Sequence, residues 1–376
     1  MNVTYQTYWK SLVERQSGTQ AELFLLRCLN LASWFYSLVL KLRAYLYRRG
    51  IFKTCRLPRP VLSIGNITVG GTGKTPFTVF CARYLLAQGH KVAVLSRGYG
   101  GSLEGQTCIV SDGATVMMSA RECGDEPYLL ATKVPGLMVV IGSDRYAAGQ
   151  LAMAQLQPDI FLLDDGFQHL RLHRDLNLLL LDYAQPFGNG RTLPAGVLRE
   201  PREAARRADV ILYTRCPSGA VKTSDMSDKL TCMSQHQLSD VIALAGRPVL
   251  PFSDLQNRSV LAFAGIAAPE SFFDGLRSKG VQLNDVISFP DHVDYDETRI
   301  DGLAEAMRSS GADCFITTEK DGVKLKGLPP ELADRTYCAR LNLAIDDPAP
   351  LLKLLRELKQ QSATATIEPF REHRPR

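Results

Sequence analysis

Apolar residues occur along this chain as short unbroken runs, separated by longer amphipathic stretches. Six runs, Pro60–Ile67, Lys91–Ser96, Leu137–Ile141, Ile160–Leu163, Leu176–Leu181 and Val210–Tyr213, are rich in Val, Ile and Leu. Continuous rather than alternating apolarity predicts strands covered on both faces. Between the first two runs, Lys74–Gln88 predicts a helix ended by Gly89. Strand and helix in alternation predict a parallel α/β sheet. A polar stretch over Ser218–Asp240 breaks the rhythm. A second set follows, with strands at Val260–Gly265, Val281–Ser288 and Asp313–Thr317 and helices at Pro269–Lys279, Asp296–Ser309 and Pro348–Lys359.

The segment before these runs has a different character. Leu23–Tyr47 is rich in Leu and aromatic residues, and its longest uncharged stretch, Cys28–Leu40, lies between Arg27 and Lys41. Those 13 residues fall short of the roughly 20 that a bilayer span needs. Lys41, Arg43, Arg48, Arg49 and Lys53 follow, and Trp34, Phe35, Tyr36, Tyr45 and Tyr47 resemble an interfacial aromatic belt. A helix lying in the membrane surface on anionic lipid is expected. A core helix is the plainer alternative.

Composition sharpens this division. The 376 residues carry a net charge of +5, but residues 1–60 hold 10 Lys and Arg against 2 acidic groups, leaving −3 for the rest. A near-neutral body excludes a uniformly basic nucleic-acid binder. The nine cysteines form no CxxC pair and no zinc-like cluster, which predicts free thiols in a reducing compartment.

The chemistry starts after the first strand, in GNITVGGTGKTP, Gly65–Pro76. A Gly-rich turn between strand and helix cradles phosphates with backbone N–H groups at a helix N-terminus. Thr68, Val69, Gly70, Gly71, Thr72, Gly73, Lys74 and Thr75 form this expected ATP-binding loop. Lys74 is expected on the β- and γ-phosphates and the Thr75 hydroxyl on Mg²⁺. Thr68 stands where the usual first glycine of such a loop would be. The strand Ile160–Leu163 ends in Asp164 and Asp165. Asp164 is the expected Mg²⁺ ligand, with Asp165 orienting its water shell.

The expected fold class is therefore α/β: a P-loop NTPase-like parallel sheet core, a second, smaller α/β lobe and an N-terminal membrane-associated helix. The expected division is 1–58 for the basic, apolar N-terminal element, 59–215 for the core, 216–345 for the second lobe with its linker, and 346–376 for a last helix and basic tail.

Polar clusters fall where strands should end, the usual place for ligands in open α/β sheets. They are Ser96-Arg97-Gly98-Tyr99-Gly100, Gly124-Asp125-Glu126-Pro127, Gly142-Ser143-Asp144-Arg145 and Phe289-Pro290-Asp291-His292. Arg97 and Arg145 are candidates for phosphate, and Asp125 or Glu126 for a general base. His292 is a candidate either to pair with a carboxylate or to reach the nucleotide across a cleft. Each segment also reads as an ordinary loop.

Taken in order, GNITVGGTGKTP, SRGYG, GDEP, DDGFQH, LREP, FPDH and TTEKDGVK span Gly65–Lys324. This set resembles the tetraacyldisaccharide 4′-kinase family, the lipid A 4′-kinases of Gram-negative bacteria, in which a Thr at the place of Thr68 is normal. The resemblance implies transfer of phosphate from ATP to the 4′-hydroxyl of a tetraacylated glucosamine disaccharide 1-phosphate, giving lipid IVA. It implies a catalytic pair at Asp125 and His292, Mg²⁺ at Asp164 and Asp165, an active-site arginine at Arg145 and a site position at Gln168. Arg199, in LREP, is implied for substrate phosphate or transition-state charge. Arg97, Tyr99 and Glu126 complete the candidates for substrate contact. The resemblance further implies two α/β lobes joined by a two-stranded linker, with the final helix returning to the first lobe. The expected partners are the glycolipid and the cytoplasmic face of the inner membrane, with no nucleic acid and no obligate protein partner. A membrane-positioning ATPase switch is the rival from another class, but its signature Lys before the paired glycines is here Val69. A soluble small-molecule kinase leaves the apolar N-terminus unexplained.

Overall fold

A computed structural model of the chain describes residues 8–9, 11–13, 15, 18–221, 229–244, 246, 249–325 and 327–364. The expected basic tail after residue 364 lies outside them, as does 222–228 of the polar stretch. The long apolar helix is α1 (Gln20–Arg48). The first α/β set is β1 (Val61–Asn66), α2 (Lys74–Ala87), β2 (Val92–Ser96), β3 (Cys108–Asp112), α3 (Ala120–Cys123), α4 (Asp125–Lys133), β4 (Met138–Ile141), α5 (Arg145–Gln155), β5 (Ile160–Asp164), β6 (Leu176–Asp182) and β7 (Val210–Thr214). Then come β8 (Leu230–Ala243) and β9 (Val249–Leu250). The second set is β10 (Val260–Ala264), α6 (Pro269–Ser278), β11 (Leu283–Ser288), α7 (Glu297–Ser310), β12 (Cys314–Thr318), α8 (Glu319–Gly322), α9 (Pro330–Ala333), β13 (Thr336–Ile345) and α10 (Ala349–Thr364).

The strands form one 13-stranded sheet in the order β11-β10-β12-β13-β8-β7-β6-β1-β5-β2-β4-β3, with β9 paired to β8. Strand β1 is parallel to both β5 and β6, and its Ile64 stands level with Asp164. That register puts the glycine-rich loop beside the acidic end of β5. Residues of β1 and β5 are buried throughout, which is why their sequences read as unbroken apolar runs.

The Ser218–Asp240 interruption holds a strand that the apolar pattern hides. Strand β8 is 14 residues long. Its first residues pair in parallel with β7, from Leu230 to Met233. From Ser234 to Ala243 it pairs antiparallel with β13, between Ile345 and Tyr337. The β8–β13 ribbon thus carries the sheet from one α/β set to the other. Both strands mix buried with part-buried and exposed positions and carry polar residues among the apolar ones, so neither shows a continuous apolar run. Helix α10 comes last in the chain but joins the first core, where Leu351, Leu355 and Leu358 pack with Phe77, Leu85 and Leu212.

Helix α1 is closed at its N-terminus by a reciprocal Thr19–Glu22 capping box. At 29 residues it is roughly 44 Å long, and by length and composition it is apolar enough to cross a membrane. It does not contribute a core face. Phe24, Leu31, Trp34, Phe35, Leu38, Val39 and Leu42 are exposed. Leu26 and Ser33 are its buried residues, and polar contacts tie the helix to the body. Ser33 Oγ donates to the Thr192 carbonyl at 2.9 Å, and Ser37 Oγ lies 2.8 Å from Thr192 Oγ1. Arg43 Nη2 donates to the Gln168 carbonyl at 3.1 Å, and Lys41 pairs with Glu203 at 3.5 Å. Its exposed apolar side chains make it a candidate membrane anchor.

The two kinds of apolar surface predict opposite mutational behaviour. Leu355→Ala empties a fully buried site and should destabilise the fold by about 3 kcal/mol. Leu42→Ser changes an exposed site and should stay within about 0.5 kcal/mol. Denaturant midpoints in detergent, compared at equal m-value, check both.

Candidate active site

The glycine-rich loop leaves β1 at Asn66 and enters α2 at Lys74. Gly73 has φ +82°, and a Cβ there would also lie 2.4 Å from His236 Nε2 on β8. Only glycine fits both demands. Asn66 ties the loop down, its Oδ1 accepting from Lys74 Nζ at 3.4 Å and its carbonyl from Gln168 Nε2 at 2.8 Å. Lys74 Nζ also lies 3.6 Å from Asp165 Oδ1, while Arg199 Nη1 donates to Asp165 Oδ2 at 2.7 Å. The LREP segment is laced to the loop through its backbone. The Val69 N–H donates to the Val197 carbonyl and the Arg199 N–H to the Ile67 carbonyl, both at 2.7 Å.

Asp164 and Asp165 sit side by side under this loop. Burial, followed by the charges of Glu126 and Asp165, lifts the Asp164 carboxyl to about 7. Burial works in the same direction on Asp165, but Lys74 and then Arg199 outweigh it and hold that carboxyl below its usual range. Thr78 Oγ1 donates to Asp164 Oδ1 at 3.4 Å. Asp165 Oδ1 is buried with no hydrogen-bond partner. A buried carboxylate next to a carboxylate oxygen without a hydrogen-bond partner, beside Thr78 on the same helix as Thr75, is a donor set that fits a hard divalent cation. Arg145 begins α5, nine-tenths buried, with its Nη1 donating to the Gly142 carbonyl at 2.7 Å. Burial lowers its pKa to about 10 against the opposing pull of Asp164 and Asp165.

A second cluster forms where α4 faces the other α/β set. Asp125 starts α4 directly after Gly124, whose φ is +90° and where a Cβ would lie 2.6 Å from the Tyr99 carbonyl. His292 stands in the loop after β11 at φ +60°, a strained value for a non-glycine residue. Its backbone N–H donates to Asp291 Oδ1 at 3.1 Å, and its ring Nδ1 lies 3.3 Å from Asp125 Oδ2. The Tyr99 ring packs edge-on against the imidazole, 5.7 Å between centroids. Lys324 Nζ lies 3.5 Å from Asp125 Oδ2, and Lys320 Nζ lies 3.9 Å from Glu126. Burial raises the Asp125 carboxyl, but the His292 hydrogen bond and then Lys324, His292 and Lys320 together hold it below the usual carboxylate range.

Both clusters border one cavity of about 2430 Å³ between the two α/β sets. Val69 to Thr75, Arg97, Tyr99, Glu126, Arg145, Asp164, Asp165, Gln168, Arg199 and His292 line it. Thr68 and Asp125 do not line it. Thr68 is buried and bridged to Leu198, and Asp125 meets the lining through its contact with His292. Arg97 is turned toward Glu104, 3.4 Å away. Trp9, Leu29, Tyr36 and Leu40 extend the lining toward the exposed face of α1. Asn66, Thr78, Lys320 and Lys324 are site residues that sequence reasoning missed, although Asn66, Lys320 and Lys324 stand inside the quoted motifs. Arg215 is another, pairing with Asp182 at 2.8 Å and donating to the Gly71 carbonyl within the loop.

Comparison with known proteins identifies the family. The LpxK family model, described as tetraacyldisaccharide-1-P 4′-kinase, matches residues 25–360. A tetraacyldisaccharide 4′-kinase of Pelobacter propionicus is 56% identical over 361 residues, covering 96% of this chain and 100% of the relative. One from Geobacter sulfurreducens is 51% identical, covering 92% and 96%. The crystal structure of the "apo" form of LpxK from Aquifex aeolicus in complex with ATP matches with a TM-score of 0.75 and 34% identity, over 89% of this chain and 99% of that one. Matches of this extent show that the chain belongs to the tetraacyldisaccharide 4′-kinase family.

Proposed function

We propose that this protein is the lipid A 4′-kinase of its source, moving the γ-phosphoryl group of ATP to the 4′-hydroxyl of tetraacyldisaccharide 1-phosphate. The observation that carries this reading is the meeting of two clusters in one cleft. A phosphate loop with Lys74, Asp165 and Arg199 faces the Asp125–His292 pair. ATP binding is further supported by the ATP complex of the Aquifex aeolicus relative.

In the proposed reaction, residues Val69 to Thr75 hold the nucleotide phosphates and Lys74 bears on the β- and γ-oxygens. Asp164, Asp165 and the Thr75 hydroxyl would hold Mg²⁺, whose chemistry here is to neutralise charge on the phosphate oxygens. Asp125, held ionised by its neighbours, takes the proton of the 4′-hydroxyl as that oxygen attacks the γ-phosphorus. His292, which lines the cleft, holds the Asp125 carboxylate in place through its ring Nδ1. Arg145, fixed by the Gly142 carbonyl, adds positive charge near the transferring group. Arg97, Tyr99 and Glu126 border the acceptor side, whereas Gln168 and Arg199 are engaged on the phosphate-loop side. Helix α1 rests in the surface of the inner membrane on its cytoplasmic face, with its exposed apolar side chains in lipid and Arg48 and Arg49 at the headgroups. Acyl chains then stay in the bilayer while the sugar rises into the cleft.

The direct test mixes the protein with labelled ATP, Mg²⁺ and the disaccharide 1-phosphate lipid in mixed micelles. No transfer of label to lipid would remove the proposal. In the same assay Asp125→Asn should lower kcat by about 10³-fold and leave ATP affinity unchanged. The acidic limb of kcat against pH should lie below the usual carboxylate range, because Asp125 must be ionised. Lys324→Met removes a cation that depresses Asp125, so that limb should move to higher pH. Trp34→Ser with Leu38→Ser should reduce flotation with anionic vesicles while leaving soluble-substrate ATP turnover intact.

A further inference from the structure

Segment Thr317–Lys324 stands inside a family motif, yet the reaction above gives it no task beyond charge. Its Lys320 occupies a specific place. The Lys320 Nζ lies 3.2 Å from His292 Nε2 and 3.0 Å from Asp291 Oδ1, with Glu126 Oε1 at 3.9 Å. The ammonium group has three protons and no lone pair, so it can only donate. The imidazole nitrogen facing it must therefore be the one without a proton. The opposite nitrogen, Nδ1, faces Asp125 Oδ2 at 3.3 Å, and an ionised carboxylate can only accept. Donor and acceptor requirements on both sides of the ring agree on one state.

We infer that Lys320 is a positioning residue that fixes His292 as the neutral imidazole protonated on Nδ1, with that proton donated to Asp125. The tautomer of a histidine is set by the partner of its second nitrogen. Here that partner comes from the start of α8, and the ammonium also donates to Asp291 while Glu126 lies 3.9 Å away, so it is held on both flanks. Lys320 is mostly buried, and although burial opposes its charge, Glu126, Asp291 and Asp125 together hold it protonated above the ordinary lysine range. The remaining groups facing the imidazole fit the same state. Tyr99 presents a ring edge. Asp291 Oδ1 stands 3.9 Å from Nε2, with the lysine closer to both. Lys324 contacts Asp125 rather than the ring.

Consequences follow for the kinase reading on which this inference rests. A ring whose Nε2 lone pair is occupied by Lys320 has no vacancy for the substrate proton, so the proton stays on Asp125. The ring serves to hold the carboxylate by a single donated hydrogen bond. Without Lys320, Nε2 is free to take a proton, the ring can turn toward Asp291, and Asp125 loses a fixed donor.

The test reads the tautomer directly and needs neither ATP nor lipid. Protein labelled with ¹⁵N-histidine is examined in micelles by long-range ¹H–¹⁵N correlation above the pH of imidazole protonation, with His292→Gln used to identify the His292 signals. The expected wild-type pattern is a protonated Nδ1 and a bare Nε2. Lys320→Met should move His292 largely to the Nε2-protonated pattern while the other histidine signals stay in place. Lys320→Arg, which keeps a cationic donor, should restore the wild-type pattern. In the phosphorylation assay Lys320→Met should lower kcat about 100-fold with KM for ATP unchanged. A wild-type His292 protonated on Nε2, or a Lys320→Met spectrum identical to wild type, would overturn the inference. Because the spectrum is read without substrate, a failure of lipid phosphorylation would count against the kinase reading and leave the tautomer result standing.

Discussion

The 3.3 Å contact between Asp125 and His292 joins residues 167 positions apart in sequence, carried by different α/β sets. Neither set holds the whole site. The first supplies the phosphate loop, the acidic strand end and the carboxylate at the start of α4. The second supplies the imidazole and the cations behind it. What permits the contact is the β8–β13 ribbon, which continues the sheet between them. A second set of interactions crosses the same seam. Lys133 at the end of α4 pairs with Glu319, whose carboxylate also accepts from the Leu341 N–H of β13 at 3.1 Å. Lys320 and Lys324 meet the other end of α4. One short segment after β12 thus grips α4 at both ends, and charge is desolvated there only where a partner is present.

Six strands of the first α/β set were legible because they are largely covered on both faces, whereas the edge strand β3, only partly buried, was not. Residues in β1, β5 and β7 are buried without exception, and unbroken apolarity has few other meanings. The ribbon was not legible for the opposite reason. Leu230–Ala243 mixes Ser, Gln and His with apolar residues because one side of it faces the cleft or solvent. Single-sequence patterns read such a strand as a loop. The same logic divides the site. Gly65–Pro76 carries its chemistry in contiguous residues, so spacing alone announced it. Lys320 acts through the imidazole of a residue 28 positions away, and no local pattern reports that kind of pairing. Thr78 and Asn66 were missed because their roles depend on which neighbour the sheet order brings alongside.

The comparison of cores explains why the last helix matters. Leu351, Leu355 and Leu358 of α10 complete the core built around α2 and the first strands. The chain therefore leaves the first set through β8, builds the second, returns through β13 and closes the first core only at its end. The second α/β set is in effect an insertion held by two neighbouring strands, with its own apolar cluster around Val260, Phe273 and Ile316. Two cores joined by a narrow ribbon place the cleft between them without a buried loop.

Helix α1 meets the body through serine hydroxyls, an arginine and the buried Leu26 rather than through a broad leucine face. Its contacts reach Thr192, just before the LREP segment, and the Gln168 carbonyl, just after the paired aspartates. The helix is thereby fixed at a set elevation relative to the phosphate loop. Under the proposed membrane placement, with the apolar face in lipid, the distance from the bilayer plane to the phosphate loop would be a constant of the molecule. Selection among membrane lipids would then include a measurement of reach. A headgroup whose hydroxyl stood too low or too high above its acyl chains would fail to meet the phosphate, even where its sugar chemistry is correct.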